Sequence, residues 1–202
     1  MHLKKILLFF VMLIIPTSLS LAGRGVYLSG FYGFGKTYGD LASSYQAGTG
    51  DALSIGYRFN KLIALEAGIF GMKQEPDSAQ DIMVDYGYYR AIFINFKLYP
   101  VTVGQKILPF ISVGFGDGFF YWNYNFTYTD NYRIENEYLD ADPLNVGLGI
   151  DYEISSRLSL GTNFRYFINF FDSRSHRLNQ FVDGGNTTYF SGHLTFYCSG
   201  CK

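Results

Sequence analysis

The 202-residue chain carries 16 Lys and Arg against 17 Asp and Glu, for a net charge of −1. This balance argues against a nucleic-acid-binding protein or a polybasic lipid-binding segment. The 18 Tyr, 20 Phe and 23 Gly make the chain too aromatic for disorder and too rich in glycine for a helical bundle.

The first 22 residues have the features of an export signal. Lys4 and Lys5 precede the apolar run 6–15, Pro16 ends that run, and a small-residue stretch closes at Ala22. We expect cleavage after Ala22, which would change the net charge to −3. A retained membrane anchor is the weaker alternative because a spanning helix needs about 20 apolar residues.

The rest of the chain contains eight segments in which bulky apolar residues alternate with small or polar ones. In a strand this alternation sends successive side chains to opposite faces. A soluble β-sandwich is less favoured, since every segment carries its own apolar stripe. The pattern predicts an all-β protein, an eight-stranded antiparallel up-and-down transmembrane β-barrel, with strands near 25–35, 51–59, 63–69, 86–98, 108–121, 144–153, 158–166 and 189–196.

The connectors between these segments alternate in length. Short connectors with tight periplasmic turns and long extracellular loops are typical of bacterial outer-membrane barrels. We therefore expect both termini in the periplasm. The short connectors are 60–62, 100–106 and 155–156, and the long ones are 36–50, 72–85, 122–142 and 171–188.

Aromatic residues cluster at strand ends, at Tyr88-Tyr89, 119–122 and 167–171. Amphipathic rings favour the membrane interface, so this clustering favours an aromatic girdle over a buried aromatic core.

Six charged residues face the predicted barrel interior. Unpaired buried charges are costly, so we expect these side chains to pair. An eight-stranded barrel is just wide enough for side chains to fill, which favours a salt-bridged plug over a narrow pore for small solutes. The predicted lumen charge network is Arg58, Glu66, Lys97, Asp151, Glu153 and Arg165.

Two glycine-rich motifs match nucleotide-binding patterns without the required context. Residues 30–37 fit the phosphate-loop spacing, with Lys36 and Thr37 at its end, but no helix is expected after them. We predict Lys36 as a solvated loop charge. The segment 114–118 fails as a dinucleotide fingerprint for the same reason, and no cofactor or metal is expected.

Cys198 and Cys201 form a C-x-x-C pair near the end of the chain. Two thiols are too few for a four-thiolate metal site. In an oxidising periplasm a local or intermolecular disulfide is favoured over a redox or metal role.

Three fragments, 25–33, 108–116 and 191–196, resemble the eight-stranded outer-membrane barrels of the OmpA-like, Opa-like and OmpX-like type, often described as an outer membrane protein β-barrel domain or porin family. The resemblance implies insertion by the outer-membrane assembly machinery, which recognises a final aromatic residue; Phe196 and Tyr197 fit, and 198–202 extend beyond them. It also implies contact with outer-membrane lipid and lipopolysaccharide. The expected organisation is a signal peptide over 1–22, a barrel over 23–197 and a short periplasmic tail over 198–202.

A lipid A deacylase is the main alternative function. Such an enzyme needs a His beside a Ser on the outer wall so that the imidazole can activate the hydroxyl. His193 lies near Ser191 but is expected to face inward, and His176 lies near Ser173 and Ser175 in a long connector. We therefore predict that the protein is not an enzyme.

The connector 122–142 is the candidate for contact with a ligand, host or envelope partner. Its Tyr and Trp side chains would supply rigid contact area among several carboxylates. The residues proposed for this contact are Trp122, Tyr128, Tyr132 and Tyr138. The sequence predicts a structural or surface-interaction role for the barrel.

Overall fold

The computed structural model describes residues 25–39, 45–76, 84–100, 106–128, 131–171 and 185–198. Eight antiparallel strands pair in chain order, and the last pairs with the first, so the sheet is a closed barrel. Within these residues no helix has the length and apolar character needed to cross a membrane. The strands are β1 (Gly25–Gly39), β2 (Gly48–Arg58), β3 (Ile63–Gln74), β4 (Val84–Leu98), β5 (Ile107–Tyr128), β6 (Asn131–Glu153), β7 (Leu158–Phe171) and β8 (Gly185–Tyr197).

The strands are tilted because the closed sheet is sheared. A row of paired residues that starts at Val26 on β1 and passes once round the wall returns to β1 at Lys36. Closing an eight-stranded sheet in this way tilts the strands by roughly 40° from the barrel axis. Because β3 and β7 are four strands apart in a closed ring of eight, they stand on opposite sides of the lumen.

The predicted alternation of faces is confirmed in all eight strands wherever their side chains are described. Large apolar side chains such as Leu28, Ile55 and Ile92 lie exposed on the outer wall. Their sequence neighbours Ser29, Ser54 and Ala91 are buried in the lumen. An exposed apolar face that runs right round a barrel is the arrangement that lipid solvates and water does not.

The apolar outer surface ends at one level on the side of the long connectors. Moving along each strand from the short-connector end, six of the eight strands have their first outward-facing charged residue at this level. On β8 the polar residues Thr188 and Asn186 lie at this level. On β5 the apolar stretch from Ile107 to this border spans about 25 Å after the tilt is taken into account. That height matches the apolar band of outer-membrane barrels. The six charged residues are Lys36, Asp51, Lys73, Arg90, Asp117 and Asp142.

The structure corrects the prediction of a long loop over 122–142. β5 continues to Tyr128, β6 begins at Asn131, and the two strands pair from end to end as a tall hairpin. Beyond the lipid the outer face of the wall need not be apolar, so the alternation of apolar and polar residues that predicts strands is lost. The Tyr, Phe and Thr residues of this segment still favour strand geometry. The other long connectors are also shortened by strand extensions, and Lys36 therefore lies within β1 instead of a loop.

The girdle prediction is correct for only part of the aromatic clusters. Tyr88, Phe119 and Tyr121 lie on the outward face, but their neighbours Tyr89 and Phe120 are buried in the lumen. Consecutive residues of a strand must point in opposite directions, so a run of aromatics supplies both a girdle and a core. Phe167 is likewise buried inside the barrel.

Candidate functional site

The lumen near the short connectors is polar, and Glu66 is at its centre. Glu66 on β3 is fully buried and accepts a 2.6 Å ion pair from Lys97 Nζ and a 3.1 Å ion pair from Arg165 Nη2. Arg165 belongs to β7, so this contact crosses the full width of the barrel. The Arg165 guanidinium also lies 4.7 Å from the ring centroids of both Phe31 and Phe93.

A second buried pair joins β6 and β8. His193 Nε2 lies 2.5 Å from Asp151 Oδ1, and the Tyr99 hydroxyl donates to Asp151 Oδ2 at 3.0 Å. Asp151, Gly161 and His193 form one row across β6, β7 and β8. A Cβ at Gly161 would lie 2.5 Å from the His193 ring, so the absence of a side chain on β7 lets the imidazole reach the carboxylate.

Arg58 closes the lumen at the short-connector end by a different kind of contact. Its Nε and Nη2 donate to the carbonyls of Asn60 and Lys61 at 3.1 and 2.8 Å, and its guanidinium lies 4.1 Å from the Tyr99 ring centroid. In the described part of the chain, main-chain carbonyls and a ring therefore hold Arg58 in place of a carboxylate. The turn between β2 and β3 is thereby fixed to the lumen.

Aromatic rings fill the lumen above the Glu66 layer. Phe70 on β3 stacks on Phe167 on β7 with centroids 5.1 Å apart, and Tyr189 meets Phe70 edge-on at 4.7 Å. Tyr89 stacks on Phe120 at 4.4 Å. Side chains from opposite walls therefore touch at two levels, through the Glu66–Arg165 pair and through the Phe70–Phe167 stack.

Hydrogen bonds link strands above the rings. The Tyr89 hydroxyl donates to Asn169 Oδ1 at 2.7 Å, and the Thr37 hydroxyl donates to Gln74 Oε1 at 2.8 Å. Gln74 Nε2 donates to the Gln46 carbonyl at 3.0 Å, which ties the connector between β1 and β2 to the end of β3. The phosphate-loop match at 30–37 thus lies on a strand, and Thr37 is a buried structural hydroxyl.

Glu153 differs from the other predicted lumen charges. Arg58, Glu66, Lys97, Asp151 and Arg165 are all at most 2% exposed, whereas Glu153 is half-buried at the end of β6. The physical reason is its position at the mouth of the barrel, where the lumen opens toward solvent.

The remaining candidate residues fall at the rims or outside the described residues. Trp122, Tyr128, Tyr132 and Tyr138 lie on the β5–β6 hairpin, where Tyr121 pairs with Tyr138 and Tyr128 with Asn131.

Cys198 is exposed, and its amide donates to the Val26 carbonyl at 2.9 Å. Cys201, His176, Ser173, Ser175 and residues 1–22 lie outside the described residues, so the disulfide and the signal peptide stay predictions. Within the residues described, no three His, Cys, Asp or Glu side chains are grouped to hold a metal ion.

Sequence reasoning missed Tyr99 and the pairing of His193 with Asp151. Both Asp151 and His193 were assigned to the lumen face by alternation, but alternation gives no register between strands. A glycine between two inward polar residues in the same row, as at Gly161, is the signal that would have indicated the contact.

No family model and no curated protein matches this chain. Solved structures do match it in fold. The Neisserial surface protein A superposes with a TM-score of 0.64 at 14% identity, covering 87% of this chain and 99% of that one. A major outer membrane protein of Thermus thermophilus gives a TM-score of 0.55 at 17% identity, with coverages of 85% and 99%.

Ail, the attachment invasion locus protein of Yersinia pestis, gives a TM-score of 0.54 at 12% identity, with coverages of 86% and 97%; its structure contains the heparin analogue sucrose octasulfate. At these identities the similarity concerns the fold. The chain has the fold of the eight-stranded outer-membrane β-barrels, as its sequence predicted.

Proposed function

We propose that this protein is an integral barrel of the outer membrane of a Gram-negative-type bacterium, with a structural and surface-interaction role. The apolar band about 25 Å high supports the location, and the short connectors at the end of the barrel that carries both termini support a periplasmic position for them. The observation that carries the role is the combination of a filled lumen with a hairpin that rises far beyond the band.

The hairpin is the proposed contact element. From Asp117 to Tyr128, β5 has 11 further residues, enough for roughly 25–30 Å above the band border. The stretch 122–142 contains five carboxylates and one arginine. A neutral or basic partner suits this charge, and a sulfated polysaccharide like the analogue bound by Ail does not.

The deacylase alternative receives less support. His193, the histidine nearest a serine on a described strand, is buried in the lumen and engaged with Asp151. An acyl ester in the outer leaflet would contact the opposite face of the wall.

Shortening the hairpin tests the proposed role. Replacing 122–137 with Asn-Gly keeps the Tyr121–Tyr138 pair and supplies a two-residue turn suited to a β-hairpin. We expect this variant to fold and insert normally but to lose adhesion of expressing cells and binding of purified protein to immobilised poly-lysine. Neither form should bind immobilised heparin.

A variant with Glu135→Gln and Glu137→Gln controls for charge without shortening the hairpin. It should lose poly-lysine binding in part, because two of the five carboxylates in 122–142 are removed. If the shortened variant adheres and binds as well as the wild type, the proposal that the hairpin is the contact element is overturned.

A further inference from the structure

Two buried cations in the lumen share one carboxylate. Lys97 Nζ and Arg165 Nη2 both contact Glu66, at 2.6 and 3.1 Å. The other buried carboxylate, Asp151, contacts His193 and a tyrosine hydroxyl instead. In the described part of the lumen, two desolvated cations therefore have a single carboxylate in contact. Burial makes an uncompensated charge costly, so this arrangement favours a further anion beside the two cations.

Arg165 has two nitrogens that Glu66 does not use. The side chain is 1% exposed, and neither Nε nor Nη1 has an acceptor among the described residues. The rings of Phe31 and Phe93, each 4.7 Å from Cζ, attract the positive charge but offer no oxygen to these N–H groups. Buried donors are satisfied in nearly all native structures, so the acceptor for Arg165 is expected to come from outside this chain.

Two polar side chains beside Arg165 also lack partners. Gly147 on β6 pairs with Ser112 on one side and with Arg165 on the other. A Cβ at Gly147 would lie 2.5 Å from Ser112 Oγ and 3.4 Å from Arg165 Cγ, so both side chains reach over this glycine. Asn145 faces the lumen two residues above Gly147 on the same strand. Ser112 Oγ and Asn145 Nδ2 are buried without a hydrogen-bond partner among the described residues.

We propose that Arg165, Ser112 and Asn145 bind one halide ion, chloride under ordinary conditions, inside the lumen. We call these three residues the lumen anion site. Each offers an N–H or O–H donor, and a halide accepts from several donors at once while it compensates the guanidinium charge. Water would satisfy the same donors but would leave the charge uncompensated. The ring layer above and the short-connector turn below leave no room for a large organic anion. The site is independent of the surface role proposed for the hairpin.

Asn95 limits where in this site the ion can lie. Its Oδ1 and Asn145 Nδ2 both lie near the point that a Cβ at Gly114 would occupy. Rotation of the Asn95 amide would remove its 3.5 Å contact from Nδ2 to Glu66, so an oxygen stays on this side. An anion avoids that oxygen, and we therefore place the halide nearer to Arg165 than to Asn95.

The test uses the full protein refolded from urea into detergent. Crystals grown after refolding in sodium bromide should show an anomalous-scattering peak within hydrogen-bond distance of Arg165 Nε or Nη1. In urea titrations at constant ionic strength, gluconate replaces chloride as an anion too large for the lumen. We expect the folding equilibrium constant to rise about ten-fold for each ten-fold rise in chloride above its dissociation constant, as binding to the folded state alone requires.

Two serines provide a matched pair of variants. Ser112→Ala removes one donor of the site and should weaken chloride binding about ten-fold or more, because hydrogen bonds to charged groups are strong. Ser54→Ala removes a hydroxyl on β2 that is equally buried and equally without a partner among the described residues. It should leave the chloride dependence unchanged.

A carboxylate built into the site should take the place of the ion. Asn145→Asp brings a negative charge beside Arg165, so we expect a folded barrel whose stability no longer depends on chloride. Gln74→Glu adds the same charge at the far end of β3 and should keep the dependence. Bromide found only on the outer surface, or equal stability in chloride and gluconate, would overturn the proposal. Equal chloride dependence in Asn145→Asp and the wild type would overturn it as well.

Discussion

Glu66 is the carboxylate on which two buried cations depend. Replacing it with glutamine keeps the side-chain volume but leaves Lys97 and Arg165 without their anion at buried positions. Removing one member of a buried ion pair costs about 3–5 kcal/mol because the remaining charge stays desolvated. We expect Glu66→Gln to lower the free energy of unfolding by about that amount in urea titrations of the detergent-solubilised barrel.

Glu75→Gln provides the control for Glu66→Gln, since Glu75 is exposed at the end of β3. Surface charge changes of this kind alter stability by no more than about 0.5 kcal/mol. An equal, small effect of both substitutions would contradict the view that Glu66 organises the lumen.

At the level of single residues, alternation predicted orientation well and contacts poorly. It assigned Glu66, Lys97 and Arg165 to the lumen, because a strand has a side-chain period of two. It could not pair Glu66 with Arg165, since the contact between β3 and β7 depends on the shear of the closed sheet. Shear is a property of all eight registers together and leaves no local mark in the sequence.

The row Asp151–Gly161–His193 shows how neighbouring strands share lumen space. A methyl group added at Gly161 would lie 2.4 Å from the Ile150 carbonyl oxygen and 2.5 Å from the His193 ring, so it would press on the β6 backbone and on the His193–Asp151 pair. We expect Gly161→Ala to destabilise the barrel by about 1–3 kcal/mol in the same urea assay, as overpacking of a filled interior does.

Gly192→Ala is the matched control for this element. Gly192 lies beside His193 on β8 but faces outward, and a Cβ there would have only the Gly161 carbonyl nearby, at 3.9 Å. Its effect on unfolding should be within about 0.5 kcal/mol. A cost at Gly192 equal to that at Gly161 would indicate a general backbone effect instead of a lost contact.

The extent of each strand could be predicted only where lipid imposes a pattern. Below the band border the predicted segments match the strands closely, because every second side chain must be apolar. Above it, β5 and β6 continue for many residues with polar and aromatic side chains mixed. There the strands still pair residue by residue, but their composition has no periodicity and was interpreted as a loop.

For the whole molecule, the filled lumen predicts an absence of steady conduction. The Glu66–Arg165 pair and the Phe70–Phe167 stack each join opposite walls, so both levels would have to open for ions to pass. In planar lipid bilayers we expect no regular conductance steps from the wild-type barrel, with a known porin as the positive control. Reproducible steps of one size would favour the narrow-pore alternative.

The position of the barrel in the bilayer can be measured with its single tryptophan. Trp122 lies on β5, five residues beyond Asp117 at the band border, so its backbone is roughly 12–15 Å above the apolar region. In vesicles we expect its fluorescence to be quenched by added iodide and left almost unchanged by lipids with brominated acyl chains. Leu148→Trp in a Trp122→Phe background should show the reverse, because Leu148 is 61% exposed in the middle of the outer wall. Strong quenching of Trp122 by the brominated chains would mean that the hairpin lies in the membrane and that the six outward charged residues do not mark the border of the apolar band.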